Sequence, residues 1–271
     1  MLNKYIEILL PFLKRAGKLS IDKQNEINGC SKFDGSVITE IDVKISNMFQ
    51  RLIKENFKNH FILDEERAFK DKNLKSNVAN SKFVWIIDPI DGTKAYFQGS
   101  SLFAIALSLY QDCKPVFGLI YLPSTAQIIY NDDSGVYKIK NAFTRRETKS
   151  QVIFQYKELN KNSLVYFPVK NTTQYIKDYK FTFIDGYSAY IYAFDVLTNI
   201  ARGAFLKDNV SMWDVYSTLP IASKLGIKIY NIDNGEELTA LDFNLFKENL
   251  KAKNIWLICH PYYKDEMLSI L

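Results

Sequence analysis

Asp88 and Asp91 stand three residues apart in the stretch Trp85-Ile86-Ile87-Asp88-Pro89-Ile90-Asp91-Gly92-Thr93. Two carboxylates held this close repel one another, and the usual remedies are a shared proton or a cation. With the Ile90 carbonyl between them they form an all-oxygen donor set, which suits Mg²⁺ better than zinc. A bare Asp-x-x-Asp is equally what an ordinary Asp-Gly turn would show.

The surrounding residues must position the pair. Val84 to Ile87 is β-branched, aromatic and uncharged, which predicts a buried strand. Pro89 has no backbone donor and is expected to end the ladder. Both aspartates then lie at a strand's carboxyl end, where they can point at one spot. Three further acidic stations stand at expected element ends: Asp42, Glu65 and Asp214. Asp214 alone reads as an N-terminal helix residue favoured by the helix dipole, and Glu65 alone as an exposed loop acid. Periodicity does not say whether the four stations meet in space.

The chain of 271 residues is long enough for one large domain or two fused halves. Its hydrophobic fraction of 47% and aromatic fraction of 14% exclude a disordered chain. The net charge of +5 is mild, and its basic residues are scattered. None of the short clusters has the aromatic interleaving of a nucleic-acid stripe, so no nucleic-acid polymer is expected as partner. Cys30, Cys113 and Cys259 form no C-x-x-C pair and read as free thiols of a reducing cytoplasm. Ile6, Leu9, Leu10 and Leu13 follow helical spacing, and nearby charges cut the run too short for a membrane span.

A first helix is expected over Asn3–Lys18, kinked or restarted at Pro11, and a second from Glu40. Asp71–Ser81 reads as a surface loop. Sequential strands follow at Phe103–Leu109, Val116–Tyr121, Gln127–Tyr130 and Gly135–Ile139. This predicts an N-terminal α+β half, residues 1–145, carrying the metal-site motifs. The charged stretch Arg145–Ser150 marks the boundary. Residues 146–271 form an α/β half, with strands at Ser163–Phe167, Phe181–Ile184, Gly203–Leu206, Ile227–Tyr230 and Ile255–Cys259. Helices are expected at Ser188–Ala201 and Trp213–Leu225.

The complete W-x-x-D-P-x-D-G-T motif at Trp85–Thr93, the acidic Asp64-Glu65-Glu66 and the late Trp213-Asp214 occur in the order found in one group of enzymes. The sequence resembles the inositol monophosphatase superfamily of Mg²⁺-dependent, Li⁺-sensitive phosphomonoesterases. The resemblance implies a layered αβαβα sandwich. It implies that Glu65, Asp88 and the Ile90 carbonyl hold one metal, and that Asp88, Asp91 and Asp214 hold a second. Thr93 and Asp42 would orient and help deprotonate the attacking water, with Glu65 close by, and the Gly92 and Thr93 amides would face the phosphate. Metals would neutralise the phosphate, lower the pKa of water and stabilise the leaving alkoxide.

The chain departs from the pattern at Asp64, where glycine is usual, and at Val215-Tyr216-Ser217, where small residues are. Lys94 after the Asp-Gly-Thr resembles the histidinol-phosphatase and bisphosphate-nucleotidase branches. Lys32, Tyr187, Ser188, Tyr190 and Lys207 are the candidates for substrate contact. The expectation is a cytoplasmic, possible homodimeric phosphatase of a small phosphorylated alcohol, of inositol phosphate or histidinol phosphate type, with no membrane partner. The rivals are a 3′(2′),5′-bisphosphate nucleotidase and a non-catalytic binding protein on the same scaffold.

Overall fold

The computed structural model describes residues 3–26, 29–31, 37–68, 70–167, 181–184, 188–207 and 210–269. In chain order the first half holds α1 (Asn3–Lys23), β1 (Gly29–Ser31), β2 (Val37–Thr39), α2 (Glu40–Asn56), β3 (His60–Asp64), α3 (Glu65–Ala68), α4 (Leu74–Ala79), β4 (Phe83–Asp91) and α5 (Thr93–Phe97). Next come β5 (Ala104–Gln111), β6 (Lys114–Leu122), β7 (Gln127–Asn131), β8 (Val136–Lys140) and β9 (Thr148–Val152). The second half holds β10 (Ser163–Tyr166), β11 (Phe181–Ile184), α6 (Ala189–Leu197), β12 (Gly203–Leu206), α7 (Met212–Tyr216), α8 (Leu219–Leu225), β13 (Lys228–Asn231), β14 (Trp256–Cys259) and α9 (Lys264–Leu268).

Two large sheets organise the molecule. One has seven strands in the order β3-β4-β5-β6-β7-β8-β9, parallel only between β3 and β4. The other has five, ordered β11-β10-β12-β14-β13, parallel across β11, β10 and β12 and antiparallel beyond. Strand alternation sorts the first sheet's side chains to two faces. Trp85, Ile87, Leu107 and Leu109 pack with Leu9, Phe12 and Leu13 of α1 and Ile41, Ile45 and Phe49 of α2. Ile86, Ala106, Ile120 and Ile129 face the other way, onto Phe194 and Leu197 of α6 and Ile221 and Ala222 of α8. Those helices also cover Ala204 and Ile258 of the second sheet. Val165, Phe205 and Leu257 pack with Tyr263 and Met267 on its far side. The result is the expected α+β fold, layered αβαβα.

Several element boundaries differ from the sequence-based expectation, each for a local reason. α1 runs to Lys23 and continues through Pro11. Pro11 lies on the exposed face, while Leu9, Phe12, Leu13 and Ala16 are fully buried; that burial offsets the roughly 3 kcal/mol an interior proline costs. The stretch expected as a loop at 71–81 contains α4, because Leu74 and Val78, at i and i+4, both find the core. The helix expected over Trp213–Leu225 is two helices, broken before Pro220. Proline cannot donate to the carbonyl four residues back, and that carbonyl, Tyr216 O, accepts instead from the Tyr110 hydroxyl at 2.7 Å. The seven-stranded sheet takes in β9, so it extends past the expected 145/146 division.

Candidate active site

Pro89 does not end the ladder; β4 continues to Asp91. A regular strand would send residues 88 and 91 to opposite faces. The register slips between them, with Asp88 opposite Ala106 and Asp91 opposite Ala104. One extra residue on the β4 side makes a bulge, and the bulge turns both carboxylates to the same place. Asp214, the third residue of α7, completes a cluster: one oxygen from each of Asp88, Asp91 and Asp214 lies within 4.8 Å of the others. Glu65 opens α3 directly after β3, the parallel neighbour of β4, and its charge acts on all three.

The electrostatics of this cluster are unfavourable as they stand. Asp88 is 1% exposed. Burial pushes its carboxyl well above the usual range, and the charges of Glu65, Asp91 and Asp214 push it further. Asp91 is pushed up to about 6 by burial, against the pull of the Ser188 hydroxyl and the Tyr190 and Gly92 amides. Asp214 is raised by burial and by Asp91 and Glu65, while Lys251 and the Ser211 amide pull it back. Asp88 Oδ1 is buried with no hydrogen-bond partner. A bare buried carboxylate oxygen costs a fold several kcal/mol, of the order of the desolvation penalty for a charged group, unless a cation meets it. The donor set is all oxygen and anionic, so these residues fit a hard divalent cation.

Beside the cluster stands a polar line toward α2. Thr39 caps α2 in a capping box with Asp42, whose Oδ2 accepts from the Thr39 amide at 2.9 Å. Asp42 is thereby fixed and buried. Thr93 Oγ1 lies 3.3 Å from Asp42 Oδ1 and 2.7 Å from the Ile90 carbonyl. One hydroxyl proton therefore has two acceptors, and the oxygen's lone pairs stay available to a water. Gly92 adopts the left-handed conformation at φ 79°, which lets β4 turn directly into α5. Its amide also pulls the Asp91 carboxyl back toward its ordinary range.

The candidates for substrate contact separate. Lys32 and Tyr187 lie outside the described residues. Tyr190 is a correction: it is fully buried, and its hydroxyl donates to the Trp213 carbonyl at 2.5 Å. It is a strut between α6 and α7, and its amide donates to Asp91 Oδ2 at 3.0 Å. Ser188 is 2% exposed and commits its hydroxyl to Asp91, so it supports a carboxylate and is corrected as a substrate contact. Lys207 is exposed at the end of β12. Tyr216, one of the departures from the family pattern, is fully buried and exchanges hydrogen bonds with the Asp242 backbone at 2.9 and 2.7 Å. Its bulk is absorbed by the layer between the sheets.

Two supporting groups carried no local sequence signal. Asp64 is 1% exposed and accepts from the Ser46 hydroxyl, from Gln50 Nε2 at 3.0 Å and from the Glu66 amide at 3.0 Å. It ties the Glu65 turn to α2, the helix that carries Asp42. Lys251 reaches Ser211 Oγ at 2.8 Å, just ahead of Asp214.

The fold agrees with the comparison to known proteins. The model of the inositol monophosphatase family matches residues 5–261, and the chain belongs to that family. It is 26% identical over 125 residues to a fructose-1,6-bisphosphatase/inositol-1-monophosphatase of Aquifex aeolicus, covering 45% of each chain. It is 26% identical over 159 residues to the 3′(2′),5′-bisphosphate nucleotidase CysQ of Haemophilus influenzae, covering 56% of this chain and 57% of that one. It is 25% identical over 160 residues to a histidinol-phosphatase of Chlorobaculum parvum, covering 56% and 59%. The matches thus span about half the length of these curated relatives. A Staphylococcal inositol monophosphatase-1, solved as a LiCl-soaked inhibitory complex, superposes with a TM-score of 0.79 at 19% identity over 100% of this chain and 95% of that one.

Proposed function

We propose that the chain is a Mg²⁺-dependent phosphomonoesterase acting on a small phosphorylated alcohol. The observation that carries this reading is the convergence of Asp88, Asp91 and Asp214, with Asp88 Oδ1 buried and unpartnered. Asp88, Asp91 and Asp214 would hold one Mg²⁺, and Glu65, Asp88 and the Ile90 carbonyl another. When bound, the metal supplies charge neutralisation for the phosphate and acidifies water.

The chain's own residues do the rest. The Thr93 hydroxyl donates to the Ile90 carbonyl or to Asp42 Oδ1, so the lone pairs of Thr93 Oγ1 stay free to accept from a water and orient it toward phosphorus. Asp42, held by its capping box, receives the proton as the water attacks. Ser188 and the Tyr190 amide keep Asp91 in its ligating orientation. Lys207, exposed at the strand end, is the described candidate for contact with the leaving group.

The inositol phosphate and histidinol phosphate classes are supported by the similarity to relatives that carry those names, and the nucleotidase class by the Haemophilus relative. The deciding experiment is phosphate release with Mg²⁺ from inositol-1-phosphate, histidinol phosphate, adenosine 3′,5′-bisphosphate and fructose 1,6-bisphosphate, side by side. One clearly preferred substrate is expected. No release from any, with the fold intact, would shift the reading to a binding protein.

Two further parts of the proposal concern state and place. Leu102 and Ile200, 42% and 50% exposed, line one apolar cleft with Phe103, Ile191 and Phe194. A homodimer would cover such a surface, and light scattering on the purified protein tests it. Cys113 and Cys259 are free thiols, and no helix among the described residues is long and apolar enough to cross a membrane. Both features suit a reducing cytoplasm.

A further inference from the structure

Lys251 is placed with more care than a surface lysine needs. Its backbone forms an antiparallel bridge with Ser211. On either side the Met212 amide donates to Leu250 O at 2.9 Å, and the Ala252 amide to Val210 O at 2.7 Å. Leu250 and Ala252 are buried at 4% and 0% exposure, which anchors both flanks. Leu250 sits at φ 58°, a left-handed conformation that a leucine adopts only under constraint. From this clamp the lysine ammonium donates to Ser211 Oγ at 2.8 Å, while the Ser211 amide donates to Asp214 Oδ2 at 2.8 Å. A cation is therefore fixed on Ser211, the residue whose amide holds Asp214.

We infer that Lys251 is a built-in counter-charge for Asp214, a positioning residue that weakens divalent-metal binding at that carboxylate and keeps the metal exchangeable. The inference rests on the metal reading proposed above. A fixed positive charge near a binding site opposes the entry of a divalent cation, by an amount that solvent reduces but does not abolish at a half-buried position. The same charge offsets part of the repulsion among Glu65, Asp88, Asp91 and Asp214 when no metal is bound. Its attraction on Asp214 is consistent with this placement. The residue thus does two opposite things: it steadies the metal-free site and penalises the loaded one.

The sign of the effect separates this role from a purely structural one. Loss of a structural brace would loosen Asp214 and weaken metal binding. Loss of a counter-charge would tighten it. Mg²⁺ binding is measured by titration calorimetry on the whole protein, with intrinsic tryptophan fluorescence as a second readout. Lys251→Met is expected to bind Mg²⁺ about three- to tenfold more tightly than the unmodified chain, the size expected of one screened nearby charge. Lys251→Arg, which keeps the charge, is expected to stay within about twofold. Without Mg²⁺, Lys251→Met is expected to melt at a lower temperature, and Mg²⁺ to raise its melting point by more. Should Lys251→Met fail to fold, Lys251→Gln serves for the same titration. Equal or weaker Mg²⁺ binding by a folded neutral variant overturns the inference. No Mg²⁺ binding by the unmodified chain overturns the metal reading itself and the inference with it, and is told apart by that control.

Discussion

The hydroxyl of Ser188 donates to Oδ2 of Asp91, a residue 97 positions earlier in the chain. The same oxygen accepts from the Tyr190 amide at 3.0 Å, so the N-terminal turn of α6 grips the second aspartate of β4. The contact joins the two halves of the chain at the point where a ligand carboxylate must not rotate. Ser188→Ala keeps the amide and removes the hydroxyl. A hydrogen bond to a charged group contributes roughly 1.5–3 kcal/mol. Turnover at saturating Mg²⁺ is expected to fall about tenfold or more, with the fold retained. Initial rates and a thermal melt check this; an unchanged rate would show that Asp91 is held without Ser188.

Asp88→Asn has opposite effects on stability and on activity. Burial and three neighbouring acids press on this carboxyl, and its Oδ1 has no partner. An amide of the same shape removes the charge that opposes burial. The metal-free variant is therefore expected to be as stable as the parent or more so. The rise in melting temperature on adding Mg²⁺ is expected to vanish, and turnover to drop by about two orders of magnitude or more. Melting curves with and without Mg²⁺, beside a rate assay, give both answers. An active Asp88→Asn enzyme would remove Asp88 from the metal set.

What the sequence made legible was local. The Asp88–Thr93 turn, the burial of Val84–Ile87 and the start of α2 at Glu40 all follow from neighbours in the chain. The meeting of Asp214 with Asp88 needs two sheets to stack, and only the family resemblance indicated it. The bulge in β4 was hidden because Pro89 reads as a stop, whereas an irregular ladder accommodates a residue without a donor. Tyr190 reads in the sequence as a pocket residue because a tyrosine's ring and hydroxyl suit a pocket and a core equally. The available signal was α6 itself: Tyr190, Tyr192, Ala193, Phe194, Val196 and Leu197 are apolar all round the helix, as in a layer between two sheets. Lys251 pairs with Ser211 over 40 positions and no motif marks it.

Asp64 stands where the family resemblance led to the expectation of glycine, and the structure gives it full employment. Its two oxygens collect donors from Ser46, Gln50 and the Glu66 amide in a buried setting. Asp64→Ala leaves those donors facing nothing, and is expected to cost about 2–4 kcal/mol of stability. Because the Glu65 turn loses its tie to α2, the Mg²⁺ concentration for half-maximal rate is expected to rise more than the maximal rate falls. Urea melts and an Mg²⁺ series test the two effects separately. A loss confined to stability would make Asp64 a fold residue with no bearing on Glu65.

His60 gives the molecule a predictable response to acid. Its Nδ1 accepts from Trp85 Nε1 at 3.0 Å, and its ring stacks on Phe83 at 4.4 Å and on Phe57 at 5.0 Å. Partial burial lowers its pKa below the ordinary 6.5. The neutral ring is therefore favoured by the fold, and the unfolded chain binds the proton more readily. Stability from this group is fully present above about pH 6.5 and is lost as pH falls from there toward the lowered folded value. Protonation also removes the acceptor that Trp85 uses. The His60 contribution to melting temperature is expected to shrink as pH drops below about 6.5, while protonation of the raised carboxyls of Asp88, Asp91 and Asp214 works the other way, so the readout is the difference in pH dependence between the parent and His60→Phe. His260, stacked on Phe154 at 3.8 Å and likewise lowered, shares the effect, so the double variant is the comparison that matters. An unchanged pH dependence in a chain lacking both histidines would show that they take no part in the acid response.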